Sequence, residues 1–144
     1  MVAELGTDMD QFPQAGNLAS WAGLCPGNRE SGGKSQGGRT RKGNRWLRRM
    51  LVQAAWAASR KRGSYLRAQY RRLKGRRGAK RAAVAVAHTL LVISYQVIKR
   101  GVSYQELGEH YFDRLKPEEL TRSLVRRLER LGHKVTLEAK DDAA

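Results

Sequence analysis

Ser31 lies between Glu30 and the pair Gly32-Gly33, in a polar stretch that also carries Arg29, Lys34, Arg39, Arg41 and Lys42. A serine hydroxyl is a weak nucleophile until a base or an electrostatic field activates it. Attack on a phosphodiester builds negative charge on the phosphoryl oxygens, which guanidinium groups and backbone N–H donors stabilise. Glycines beside the serine let the backbone approach a strand closely. On residue types alone, a serine in a glycine-rich stretch is more often only part of a loop, so both readings stand at this point. Gly33-Lys34-Ser35 also invites a phosphate-loop reading, but the motif's first glycine falls on Asn28 and no apolar strand precedes it. His88, His110 and His133 are scattered without metal-ligand spacing. Asp113, Glu118 and Glu119 could bind a metal on paper, but a helix N-terminus explains the two glutamates more simply, and no metal site is expected.

The elements that must position these residues read as mainly α. The segment 27–43 holds six glycines and no hydrophobic residue, so it is a basic loop and not core. A short helix over 14–22 precedes it, with Leu18 and Trp21 on one face, stopped by Gly23 and Pro26. From Asn44 the pattern turns helical, with Leu47, Leu51, Ala54, Ala55 and Ala58 at helical spacings. Ser64 is placed to cap a helix from Tyr65 to about Arg77 carrying Leu66, Tyr70 and Leu73. The most apolar run, Ala82 to Ile98, is 17 residues long and includes His88, Thr89, Ser94, Tyr95 and Gln96. It falls short of the roughly 20 mostly apolar residues of a membrane span, so it reads as a central buried helix, with no membrane partner. Pro117 followed by Glu118 and Glu119 opens a last helix. Its stripe of Leu120, Leu124, Leu128 and Leu131 is expected to pack on the central helix, with Gly132 as its cap.

The chain has 144 residues, 40% hydrophobic, with 29 Lys and Arg against 13 Asp and Glu, for a net charge of +16. That suits one small helical domain with a modest core. One cysteine, Cys25, excludes an internal disulfide and any multi-cysteine zinc site. The charge is unevenly placed: residues 29–81 hold 19 bases and one acid, so this third carries a net +18. Such a density calls for a polyanion, and nucleic acid supplies one whose counterions are released on binding.

Leu18-Ala19-Ser20-Trp21-Ala22-Gly23-Leu24-Cys25-Pro26, then Ser31-Gly32-Gly33-Lys34, then Arg41-Lys42-Gly43-Asn44-Arg45-Trp46-Leu47-Arg48 follow one another in an order that carries a resemblance. The chain resembles the C-terminal domain of the DEDD-type insertion-sequence transposases, the RNA-guided (bridge RNA) recombinases that include pilin-gene inverting invertases. The resemblance runs from residue 1 to about residue 140. It implies that Ser31 is a catalytic nucleophile linking covalently to DNA. It further implies that Arg29, Lys34, Arg39, Arg41, Lys42, Asn44, Arg45, Arg48 and Arg49 face DNA or RNA.

On this resemblance, residues 1–26 correspond to the remnant of a helix-hairpin-helix region and a short helix. Residues 27–140 are the transposase domain, with a basic loop over 27–43 and a helical body over 44–132, and 141–144 form a tail. The family's RuvC-like domain, with four acidic ligands for Mg²⁺, does not precede Met1. The expectation is therefore a truncated transposase, with no cofactor of its own, needing that domain in trans or surviving without it as a remnant. The expected function is DNA transposition and site-specific recombination. Partners would be DNA, a guide RNA and further copies assembled on DNA, at the nucleoid in the bacterial cytoplasm. The alternative is a nucleic-acid-binding module without catalysis.

Overall fold

The computed structural model describes residues 2–27, 30–35 and 40–138. Its chain divides into two compact units, residues 1–109 and 110–144. The first contains α1 (Val2–Leu5), α2 (Ala15–Trp21), β1 (Glu30–Ser31), β2 (Lys34–Ser35), α3 (Arg45–Ala58), α4 (Tyr65–Arg77) and α5 (Ala79–Arg100). The second contains α6 (Tyr111–Leu115) and α7 (Pro117–Arg130). The fold is mainly α, as the periodicities indicate.

α5 is the central element, and its side chains explain why. Ala82, Ala83, Val86, Ala87, Leu91 and Tyr95 are buried along it. The alanines leave room for neighbouring helices to come close, and α2, α3 and α4 all pack against it. α3 contributes Leu47, Leu51 and Ala55 at successive turns, α4 contributes Leu66 and Tyr70, and α2 contributes Leu18 and Ala19. Burying a leucine or valine side chain stabilises by about 1.5–3 kcal/mol, so this small set carries the unit. At the far end of α5, the Tyr95 hydroxyl donates to the Phe12 carbonyl at 2.7 Å and accepts from Lys99 Nζ at 3.1 Å. That hydrogen bond, with the nearby charge of Asp10, raises the Lys99 ammonium above its ordinary value. α5 is long and apolar enough to cross a membrane, yet its buried stripe faces other helices of the unit.

The third partner expected for α5, the helix α7, belongs to the second unit. Within its own unit α7 exposes Leu120, Leu124, Leu128 and Leu131, and in the first unit α2, α3 and α4 supply the core around α5. The stripe has the right helical period, but period states only that a helix has an apolar face. It does not name what covers that face. The expected edges of α7 do appear, with Pro117 in its first turn. At its end, Gly132 N–H bonds the Glu129 carbonyl and His133 N–H the Leu128 carbonyl, the Schellman arrangement.

α4 begins with two caps. Ser64 Oγ accepts from Arg67 N–H at 3.3 Å, and Glu106 Oε1 accepts from Tyr65 N–H at 2.8 Å and Gly108 N–H at 3.1 Å. Glu106 thus reaches back from beyond α5 to close the α4–α5 hairpin. Partial burial disfavours its charge, but the N–H donors of Tyr65 and Gly108 and the charge of Lys61 outweigh this and hold the carboxyl below its usual range.

Two predictions follow from this packing. Leu91 has no exposed surface, so Leu91→Asp buries a carboxylate without a partner and should cost several kcal/mol, about 3 or more. Thermal melting checks it, and a melt unchanged from the parent would overturn the core assignment. Because the folded Glu106 carboxyl is depressed, its stabilisation is full above the ordinary carboxylate range and is lost as pH falls through the folded value. Glu106→Ala should therefore destabilise at neutral pH by at most about 1 kcal/mol. The two melting curves should converge in acid.

Candidate nucleic-acid interface

The serine-bearing stretch is built from its base upward. α2 ends in a Schellman cap: Gly23 N–H bonds the Ser20 carbonyl at 3.0 Å and Leu24 N–H bonds the Ala19 carbonyl at 2.9 Å. The cap turns the chain so that Leu24 is buried at 3% exposure. Pro26 then pairs with Thr40 in an antiparallel bridge, which closes the excursion between them. On the return, residues 41–43 lie against the end of α2. A Cβ at residue 43 would fall on the Gly23 amide nitrogen and 2.5 Å from the Trp21 carbonyl oxygen. A Cβ at residue 23 would lie 2.9 Å from both the Arg41 carbonyl oxygen and the Gly43 nitrogen. Neither contact is possible for a real side chain, so the two glycines are required for this close approach.

Asn44 locks the arrangement to α3. Its backbone N–H bonds the Trp21 carbonyl at 3.1 Å. Its Oδ1 accepts from Trp46 and Leu47 N–H, both at 3.0 Å, and its Nδ2 donates to Glu4 Oε2 at 3.0 Å. Asn44 is thus the N-cap of α3 and ties α1, α2 and α3 together. Among the described residues expected at a nucleic-acid contact, its side chain is the one engaged within the fold at both its oxygen and its nitrogen.

The excursion is not the plain loop that its composition suggests. Glu30–Ser31 and Lys34–Ser35 form a two-stranded antiparallel hairpin, with Ser31 opposite Lys34. Gly32 and Gly33 make its turn with φ of +57° and +73°, positive at both positions as a type I′ turn requires. Ser31 therefore sits next to the turn of a tight hairpin. Gly33-Lys34-Ser35 leads into a strand and not a helix, which removes the phosphate-loop reading. The Gly-Gly signal is visible in the sequence, but the flanking residues are all polar and lack the alternation that marks a strand. Arg29, Arg39 and the side chains of Ser31 and Lys34 lie outside the described residues.

Around the hairpin's base the charge has one sign. From Ser31 to Gln105 the sequence contains no acid. Arg41, Lys42, Arg45 and Arg49 are exposed and Arg48 is half-buried. Among the described residues none of these five forms an ion pair with an acid. Arg41 and Lys42 lie on the returning chain, and Arg45, Arg48 and Arg49 on the first turns of α3, so the structure gathers all five near Asn44. Trp46 stands among them at 57% exposure, with the Arg45 guanidinium 5.2 Å from its ring centroid. The sequence names Trp46 only as part of the resemblance and not as a contact residue. Its place off the Leu47–Leu51–Ala55 stripe is the signal that marks it as exposed. Among the described residues, no group of three or more His, Cys, Asp or Glu is placed to hold a metal ion.

Residues 1–71 match the Transposase IS116/IS110/IS902 family. The matched part runs from α1 through the hairpin and α3 into α4, so it contains Ser31, the Gly23–Gly43 contact and all five cations. This likeness supports an insertion-sequence transposase domain of the IS110 type, with a role in transposition or recombination. No curated protein and no solved structure gave a match.

The close approach of the two glycines is directly testable. Gly43→Ala should destabilise the fold by about 1–3 kcal/mol, the usual cost of forcing a methyl group into filled space. Gly16→Ala, where nothing lies within 4 Å, should be neutral or slightly stabilising. Equal melting temperatures for the two variants would overturn the contact.

Proposed function

We propose that this chain is the serine-bearing part of a DNA transposase or site-specific recombinase. In this reading it binds the DNA backbone through the cations around Asn44 and presents Ser31 as the nucleophile for strand cleavage. The observation that carries the reading is the hairpin placing Ser31 beside a Gly32-Gly33 turn, on a base fixed next to five cations, inside the segment that matches the transposase family.

The chemistry is a transesterification. Ser31 Oγ forms a bond to phosphorus, the bond from phosphorus to a deoxyribose oxygen breaks, and the hydroxyl proton passes to a base while the leaving oxygen gains one. The phosphoserine ester conserves the phosphoester bond, so attack by a deoxyribose hydroxyl on that ester rejoins the strands without an external energy source. Arg29, Lys34, Arg39 and Arg41 would stabilise the charge that develops on the phosphoryl oxygens. Lys42, Arg45, Arg48 and Arg49 would hold flanking phosphates, while Asn44 fixes the helix that carries three of them. The residues described here do not form a site for Mg²⁺. That ion belongs, in this reading, to a RuvC-like partner domain, and no step above is routed through it. Guide RNA would engage the same positive surface, and assembly on DNA would bring paired breaks together. A DNA partner places the protein at the nucleoid in the bacterial cytoplasm.

Covalent capture tests the reading. The full chain, supplied with a RuvC-like domain in trans, should form a covalent adduct with a nicked or strained DNA substrate, and Ser31→Ala should abolish it. Ser31→Ala should leave DNA affinity within about twofold, since one neutral hydroxyl adds little beside so many cations. Joint replacement of Arg41, Lys42, Arg45 and Arg49 by Gln should flatten the salt dependence of duplex binding by about 0.9 per lost phosphate contact. Capture that survives in Ser31→Ala would overturn the nucleophile. Affinity without capture under any condition would leave a binding module.

A further inference from the structure

The cations account for binding a phosphate backbone, but they do not account for the apolar surface among them. Trp46 is 57% exposed in the first turn of α3, and Met50, one turn later, is 55% exposed. Both lie off the stripe of Leu47, Leu51 and Ala55 that α3 buries. With Glu4, Arg49 and Gln53 they line a shallow cleft of about 380 Å³. A tryptophan face and a thioether side by side in water, ringed by polar groups, mark a surface that something covers.

We infer that this cleft is a binding site for a single unstacked nucleobase. The inference rests on the nucleic-acid reading above and adds to it a form of substrate: a strand that is unpaired, or opened, beside the serine hairpin. The cleft has the polarity that a nucleotide requires. Trp46 offers a ring face for stacking, and Arg45 already approaches that ring at 5.2 Å from its centroid. Arg49 is also in the lining, and its guanidinium suits a phosphate. Glu4 is also in the lining, and its carboxylate repels a phosphate but accepts from the amino or imino group on a base edge. Glu4 Oε2 accepts from Asn44 Nδ2, which fixes its position and leaves Oε1 as an acceptor. The Gln53 amide adds one donor group and one acceptor. The occupant is thus flat and aromatic, with polar edges and an anionic tail. A base inside an intact duplex has both faces covered by its neighbours and cannot stack on Trp46, so the site selects against paired DNA. An acidic peptide shares the tail's charge but has no flat polar-edged ring to set against the tryptophan.

The experiment follows tryptophan fluorescence of the full chain, titrated with a single-stranded oligonucleotide and with a duplex of the same sequence. The single strand should quench part of the emission and the duplex should quench much less. Trp46→Phe should remove that quench, since Trp21 and Trp56 remain as unaffected reporters. Trp46→Ala should weaken single-strand binding between about fivefold and a hundredfold while leaving duplex binding within about twofold. Because Trp46 is exposed, its loss should leave the melting temperature unchanged. If Trp46→Ala weakens both forms equally, or neither, the base site is overturned while the nucleic-acid reading stands. If polyglutamate quenches as strongly as the oligonucleotide, the cleft is a general anion or peptide surface and the proposal fails. If neither nucleic acid binds in a salt-dependent way, the underlying reading falls and the base site with it.

Discussion

The contact between the backbones of Gly23 and Gly43 is the constraint from which the rest of the first unit is arranged. It brings the end of α2 and the start of α3 to a distance that no side chain allows. Once the two chains meet there, Asn44 can bond the Trp21 carbonyl, cap α3 and hold Glu4 in one place. The excursion between Pro26 and Thr40 then has a fixed base. Most of the residues that carry the transposase resemblance belong to this junction.

The core explains why that joint can be so exposed and still hold. α5 supplies a row of alanines, with Val86 and Leu91, on which three helices of the unit close tightly. The buried set is small and central, so the outer surfaces of α3 and α4 are free to carry charge. A hydrophobic interior of this kind tolerates a dense positive exterior because the cations project into water on long flexible stems. The division of labour runs residue by residue along α3: Leu47, Leu51 and Ala55 hold it to the core, while Arg45, Arg49 and Trp46 face outward.

Helix edges in this chain were legible because their signals are local. Asn44, Ser64, Pro117 and Gly132 each act through atoms within a few residues, and each stands where its chemistry predicts. The hairpin was legible only in its turn, because its strands are too short and polar to show a period. The leucine stripe of α7 shows its amphipathic period in the sequence, whereas the surface that covers it is a long-range fact. The Gly23–Gly43 contact and the Glu106 cap join residues distant in sequence, and no spacing rule points to either. Of the candidate site, the gathering of five cations followed from their nearness in sequence, whereas the exposure of Trp46 required knowing which face of α3 is buried.

The run without acids from Ser31 to Gln105 has a thermodynamic consequence for the protein alone. Folding concentrates like charges that a disordered chain keeps farther apart, so the free domain folds against its own repulsion. Added salt screens that repulsion and should make the unbound protein more stable, while the same salt would weaken the proposed hold on a phosphate backbone. A polyanion that binds the folded form relieves the repulsion and stabilises the fold by mass action. Under the proposed function, nucleic acid would be a folding partner of this domain as well as its ligand. Under the same ionic conditions, the chain would then be least stable when it has been released.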